Sequence, residues 1–277
     1  MDGIILLNKE KGITSRDLVN KISKELGIKK VGHAGTLDPL ATGLMIIGVG
    51  KGTKILDLLT LDTKEYIATV KMGIETDTLD ITGNIVAKNE NFIINREKIL
   101  DALASFTKTY MQTVPKYSAV KINGKRLYNY ARENKEIELP KRKITIYNLE
   151  LIDLNLDKRE FTFKTLVSKG TYIRSLIKDL GDYLNILMTM KDLIRIKSGK
   201  FVLDQVSNNK LISIKDALDY KIIKILNEAE LKKVRNGNNI ELNNVDDNRV
   251  ILVDGDGKEL AIYEKGEKSN YIAFKVF

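Results

Sequence analysis

The chain has 277 residues, no cysteine, a single histidine and a formal net charge of +9 at pH 7. The lack of cysteine excludes thiol catalysis, disulfide scaffolds and Cys-ligated zinc or iron–sulfur centres. With 43% hydrophobic residues, the length suits one large domain or one medium and one small, and the basic excess fits either a polyanionic partner such as nucleic acid or a lysine-rich solvated surface.

Residues 3–8 are an apolar run bounded by turn formers and read as a buried strand. No basic stretch leads into a long apolar one here, so no signal peptide is expected, and no run reaches membrane-spanning length. Thr14 and Asp17 have the spacing of a capping box, opening a helix through Leu18, Val19, Ile22 and Leu26 that stops at Gly27. A glycine-rich loop over 32–43 precedes a strand at 44–49 and a helical turn or two at 51–59.

Residues 65–72 alternate, with Tyr66, Ala68, Val70 and Met72 on one face of a strand. A polar loop at 73–83 leads to a strand at 84–87. Residues 95–106 read as a helix, with Ile99, Leu100, Leu103 and Phe106 on its buried face. A short helix is expected at 125–133, carrying Leu127, Tyr128 and Tyr130, the tyrosines serving either as core or as stacking groups. Two strands between 143 and 167 flank a turn at 155–159, a helix spans 171–184, and a strand spans 194–202.

Past residue 220 a short helix at 228–235 and strands at 249–253, 260–263 and 272–276 read as a small all-β module. The expected division is 1–222 and 223–277. Hairpin-like strands with separate helices indicate an α+β class.

The loop Gly32-His33-Ala34-Gly35-Thr36-Leu37-Asp38-Pro39-Leu40-Ala41-Thr42-Gly43 holds the lone histidine and a carboxylate between glycine-rich flanks. Pro39 restricts Asp38 to extended conformations, and the glycines permit sharp turns and close approach of a ligand. Such a carboxylate can act as nucleophile, base or metal ligand, although an Asp-Pro pair in a loop is most often a turn. No Gly-x-Gly-x-x-Gly after a strand, no Walker loop and no metal-binding cluster is present, so neither cofactor nor metal is expected.

This loop resembles the catalytic loop of the TruB family, the bacterial tRNA pseudouridine synthases that act on uridine 55 of the T-loop. Leu6-Leu7-Asn8-Lys9 resembles its N-terminal lysine motif, Lys64-Glu65-Tyr66 its tyrosine strand, and the segment 73–83 its acidic loop. Pro115-Lys116-Tyr117-Ser118-Ala119-Val120-Lys121, with Leu127-Tyr128 and Tyr130-Ala131-Arg132, resembles its central signature. Ser168-Lys169-Gly170-Thr171-Tyr172-Ile173-Arg174 resembles its arginine segment, and Leu193 with Arg195 its closing strand. Two departures stand out: Glu10 replaces a proline, and Ile194 replaces a second arginine.

The resemblance implies a pseudouridine synthase catalytic domain, with a mixed and largely antiparallel sheet, followed by a short PUA-like RNA-binding module. It implies isomerisation of a flipped-out uridine, breaking C1′–N1 and forming C1′–C5. Asp38, Tyr66 and Arg174 would be catalytic, and His33, Lys9, Tyr172, Leu193 and Arg195 would bind substrate. Asp38 could attack the base, attack the sugar or abstract a sugar proton. Arg174 would hold it ionised, and Tyr66 would stack on uracil and take the C5 proton. Lys9, Lys121, Lys125, Arg126 and Arg132 would meet phosphates. The implied partner is the T-arm of tRNA, met by a cytoplasmic monomer without guide RNA or membrane. Competing readings are an RNA-folding chaperone and a guide-dependent synthase.

Overall fold

The computed structural model describes residues 1–60, 63–133, 135–206 and 210–277. In chain order the first half comprises β1 (Gly3–Lys9), α1 (Ser15–Leu26), β2 (Val31–His33), β3 (Thr42–Val49), α2 (Leu56–Thr60), β4 (Lys64–Met72), β5 (Ile74–Thr76), β6 (Ile85–Lys88), α3 (Arg96–Phe106) and β7 (Thr109–Thr113). There follow β8 (Lys121–Ile122), β9 (Lys125–Arg126), α4 (Leu127–Arg132), β10 (Lys141–Asn155), β11 (Glu160–Val167), α5 (Ile173–Leu184), β12 (Met188–Ser198), β13 (Phe201–Val202), β14 (Leu211–Ile212) and α6 (Ile214–Ala217). The last stretch holds β15 (Lys221–Lys224), α7 (Glu228–Arg235), β16 (Ile240–Glu241), β17 (Arg249–Val253), β18 (Glu259–Lys265) and β19 (Asn270–Val276).

Among the described residues the main sheet runs β14-β1-β3-β12-β4-β11-β10-β7, with β2 on β3 and β13 on β12. All its pairings are antiparallel except β12 with β3. The α+β class with a mixed, largely antiparallel sheet is therefore the observed one. A second sheet, β15-β17-β18-β19-β16, forms the C-terminal β module and starts at Lys221.

Alternation gives the main sheet two apolar faces. Met45 and Ile47 face one way with Tyr66, Ala68 and Val70, against Leu18 and Val19 of α1, Ile99 of α3 and Leu176 and Ile177 of α5. Leu44 and Ile46 face the other way, against Leu58 of α2, Ile214 of α6 and Ile251, Val253 and Ile262 of the second sheet. The second sheet thus shares an apolar layer with the first.

Local chemistry explains most elements. The Thr14–Asp17 capping box opens α1, and Gly27, left-handed at φ 65°, closes it. Other expectations need correction. In α3, Leu100 is 43% exposed while Ala102 is buried, because a residue one position past Ile99 lies about 100° off the buried stripe. His33 belongs to a strand, since residues 31–33 pair with β3. The segment 73–83 contains β5, paired with β6. β12 begins at Met188 and turns at Gly199 into β13, and α5 begins only at Ile173 because Tyr172 is extended. β7 has no counterpart among the sequence expectations.

One glycine is required where the Asp38 loop re-enters the sheet. Gly43 has φ +103° and pairs with Arg195, and a Cβ there would stand 2.4 Å from the Arg195 carbonyl oxygen. Gly43→Ala should cost roughly 1–3 kcal/mol in backbone strain. Chemical denaturation measures it as a lower midpoint at unchanged slope.

Candidate active site

Asp38 lies in the loop between β2 and β3, where its neighbours are pinned on both sides. Ser15 Oγ donates to the Leu37 carbonyl (3.0 Å) and accepts from the Leu37 N–H (2.9 Å). The Pro39 carbonyl accepts from the Gly12 N–H (2.8 Å) and from Lys9 Nζ (3.2 Å). Leu37 and Leu40 bury their side chains in the helix-side core. The Asp38 side chain is left facing outward, 35% exposed.

Arg174 meets it from the first turn of α5. Its Nε stands 2.9 Å from Asp38 Oδ2, Nη1 donates to the Thr78 carbonyl at 2.8 Å, and Nη2 donates to the Tyr117 carbonyl at 3.0 Å. The guanidinium fork is planar and rigid, so three acceptors together fix both its place and its tilt. Asp80 adds a second carboxylate, with Oδ2 3.9 Å from Nη1. Asp80 is buried, and its Oδ1 accepts from the Thr82 N–H at 3.0 Å and from the hydroxyls of Thr78 and Thr82. Those bonds explain the acidic loop at 73–83: its threonines hold a desolvated carboxylate beside the arginine.

Tyr66 is buried in β4, opposite Arg195 of β12 and Thr165 of β11, and Leu193 is buried in β12 opposite Ala68. Tyr172 is half-buried at the N-cap of α5. Burial pushes its phenol above the ordinary range, and the negative charge of Asp38 acts in the same direction. His33 is half-buried, and its Nδ1 has no hydrogen-bond partner among the described residues. Burial, then the charges of Arg16 and Arg195, hold its imidazole below its usual value.

Two residues expected at the substrate lie in the interior. Lys9 is 0% exposed, and its Nζ donates to the carbonyls of Glu10 (2.9 Å), Ile13 (2.8 Å) and Pro39. Arg195 is 1% exposed, donating from Nε to the Leu44 carbonyl (2.7 Å) and from Nη2 to the Gly35 carbonyl (3.3 Å). Neither is a solvent-facing charge. A turn-rich loop concentrates carbonyls that no strand or helix satisfies, and a buried cation can answer them. The motif match carries the residue type and not its burial.

The basic segment after Pro115 is partly self-paired. Lys125 is paired with Glu133, and Arg126 and Arg132 lie 5.7 and 5.4 Å from the centre of the Tyr128 ring. Lys125 sits 5.0 Å from that of Tyr130. Leu127 is buried, whereas Tyr128 and Tyr130 are half-buried with cations against their rings. Among the described residues, no group of three or more His, Cys, Asp or Glu side chains could hold a metal ion.

What the arrangement offers is a rigidly presented carboxylate, charge-paired with a buried guanidinium, near aromatic and aliphatic side chains. A family model described as "TruB family pseudouridylate synthase (N terminal domain)" matches residues 23–173. The chain is 41% identical over 246 residues to a tRNA pseudouridine synthase B of Mycoplasma mobile, covering 89% of this chain and 85% of that one. It is 39% identical over 274 residues to the protein of that name from Mesoplasma florum, with 95% and 93% covered. For Geobacillus thermodenitrificans the identity is 41% over 291 residues, with 96% and 95% covered. The fold is shared with the structure of an H/ACA RNP bound to a substrate RNA containing 2′-deoxyuridine (TM-score 0.67, 21% identity, 99% of this chain and 84% of that chain). A Cbf5-Nop10-Gar1 complex gives the same TM-score of 0.67 at 24% identity, covering 99% and 84%.

Lys9→Met should remove the only side-chain donor shared by Glu10, Ile13 and Pro39, lowering stability on the order of 3 kcal/mol. The slope of log RNA affinity against log salt should stay at the parent value. A slope shallower by about one would return Lys9 to the phosphates.

Proposed function

This chain belongs to the TruB family of pseudouridylate synthases, and we propose that it converts uridine 55 in the T-loop of tRNA to pseudouridine, using Asp38 as the reacting carboxylate. The observation that carries this is the 2.9 Å contact between Arg174 Nε and Asp38 Oδ2, made by a nearly buried guanidinium to a carboxylate that still reaches solvent. Nucleophilic attack and proton abstraction both need a carboxylate held in a fixed direction and open to the incoming nucleoside. Supporting the tRNA substrate are relatives at 39–41% identity that carry the name tRNA pseudouridine synthase B.

The reaction is an isomerisation. The C1′–N1 bond breaks, the uracil turns within the site, and C5 bonds to C1′. The C5 proton then leaves and N1 ends protonated, so atoms and electrons balance without an outside reagent. Asp38 engages the flipped nucleoside, and Arg174 holds its charge and direction. Tyr66 stacks on the uracil, and its phenol oxygen takes the C5 proton as its own O–H proton passes on, with N1 gaining one proton overall. Leu193 and Tyr172 line the pocket and keep water from the exposed sugar carbon. His33 holds the opened RNA loop, its imidazole neutral at physiological pH because burial lowers its pKa. Lys9 and Arg195 support the Asp38 loop from within and leave the substrate to others.

The net charge of +9 supports a phosphate-tracking surface. The second sheet from Lys221 onward acts as a small RNA-binding module beside the catalytic domain. The enzyme works in the cytoplasm as a monomer on tRNA alone, without guide RNA, metal or organic cofactor.

Incubation with an unmodified tRNA transcript and no other component, followed by mapping at nucleotide resolution, tests site choice and independence together. Pseudouridine at position 55 is expected, and its absence there with the intact chain overturns the assignment. Asp38→Asn should abolish product while tRNA affinity stays within about tenfold, or 1.4 kcal/mol. Normal turnover by that variant removes Asp38 from the chemistry. Tyr66→Phe should bind tRNA and turn over slowly, with an unchanged rate removing the phenol as proton acceptor.

A further inference from the structure

We infer that Gln112 is a positioning residue whose side-chain amide, hydrogen-bonded to both backbone polar groups of Tyr172, sets the start of α5 so that Arg174 meets Asp38. The inference rests on the proposed roles of that pair and concerns a residue on β7, the strand the sequence did not announce.

α5 starts without a side-chain cap: Tyr172, its N-cap, is extended at φ −104° and ψ 113° and makes no capping bond of its own. The adjoining strand replaces the cap. The Tyr172 N–H donates to Gln112 Oε1 at 2.9 Å, and Gln112 Nε2 donates to the Tyr172 carbonyl at 3.1 Å. The amide has one possible orientation, because a flip would set its NH2 against an N–H and its oxygen against a carbonyl. Nε2 also donates to Tyr110 Oη at 3.2 Å, and that hydroxyl donates to Asp179 Oδ2 at 2.7 Å. Gln112 is 2% exposed, with both amide protons and its oxygen engaged.

The geometry is a two-point grip. Tyr110 and Gln112 are two apart on a strand and share a face, while Tyr172 and Asp179 are seven apart, about two helical turns. Ser175 Oγ adds a bond to the Thr113 carbonyl at 2.8 Å. Arg174 lies two residues beyond the clamped Tyr172. A one-residue slip of α5 would rotate it by about 100° and shift it by about 1.5 Å, enough to part Arg174 Nε from Asp38. An apolar side chain of the same size would fill the space but could not read the register, because it offers nothing to match the N–H and carbonyl.

The test uses the full-length chain with Gln112→Leu, which removes the clamp, and Tyr110→Phe, which removes the hydroxyl that joins Gln112 to Asp179 but leaves both bonds from Gln112 to Tyr172. First, proton exchange at Arg174 Nε is followed by NMR without RNA. Gln112→Leu should speed exchange about tenfold or more as the buried ion pair opens. Tyr110→Phe should stay within about threefold of the parent. Second, single-turnover pseudouridine formation is measured at saturating enzyme, alongside tRNA affinity. Gln112→Leu should lose about tenfold or more in rate with affinity nearly unchanged, since the reacting pair and not the RNA surface is disturbed. Parental exchange in Gln112→Leu, or equal acceleration by Tyr110→Phe, overturns the inference, the latter because general loosening of the β7–α5 contact would then account for it. The exchange reading needs no substrate, so it fails or succeeds separately from the assignment of tRNA and of uridine 55.

Discussion

Everything at the site is organised by one guanidinium. Arg174 spends its rigid fork on Asp38 and on the carbonyls of Thr78 and Tyr117. Those groups come from the glycine loop, the acidic loop and the segment after β7, which are far apart in sequence. A buried cation is tolerable only where charge and hydrogen bonds are both met. Asp38 and Asp80 supply the charge, and the two carbonyls supply the remaining bonds. Moving any one of those segments would leave the arginine short of a partner, so the ion pair is also a constraint on how the loops pack.

The loop bearing Asp38 is correspondingly stiff. Lys9 and Arg195 act as internal struts, Lys9 on the carbonyls of Ile13 and Pro39 and Arg195 on those of Gly35 in the loop and Leu44 in β3. All three Lys9 protons have carbonyl acceptors, and Arg195 Nε and Nη2 are likewise bonded. The Lys9 ammonium has its pKa lowered by desolvation, and the nearby negative charge of Asp38 opposes that. The basic residues of the chain are thus of two kinds, a few inside and holding the loop, the others at the surface.

The main sheet separates these tasks from the second module. Its helix-side face carries α1, α3, α5 and the site, and its other face carries α2, α6 and the second sheet. Tyr66 and Leu193 reach the site side because alternation along β4 and β12 puts them there. The shared apolar layer sets Ile251, Val253 and Ile262 in one cluster with Ile4, Leu6, Ile46 and Ala34 of the glycine loop.

Local rules were enough for the capping box at Thr14, the alternation from Tyr66 to Met72, the small β strands near the C-terminus and the α+β class. Each depends on neighbours a few residues apart, and the glycine loop could be singled out for the same reason. The pairing of Asp38 with Arg174 was legible only through motif resemblance, because they stand 136 positions apart and no local spacing encodes the contact. The sequence was silent on β7, whose short run Thr109-Tyr110-Met111-Gln112-Thr113 is polar at a position that ends up buried. It did not show that Lys9 and Arg195 are buried, since a basic side chain looks alike whether it faces solvent or a nest of carbonyls. Tertiary structure alone decided those cases, because burial and hydrogen-bond partners are properties of where distant backbone comes to rest.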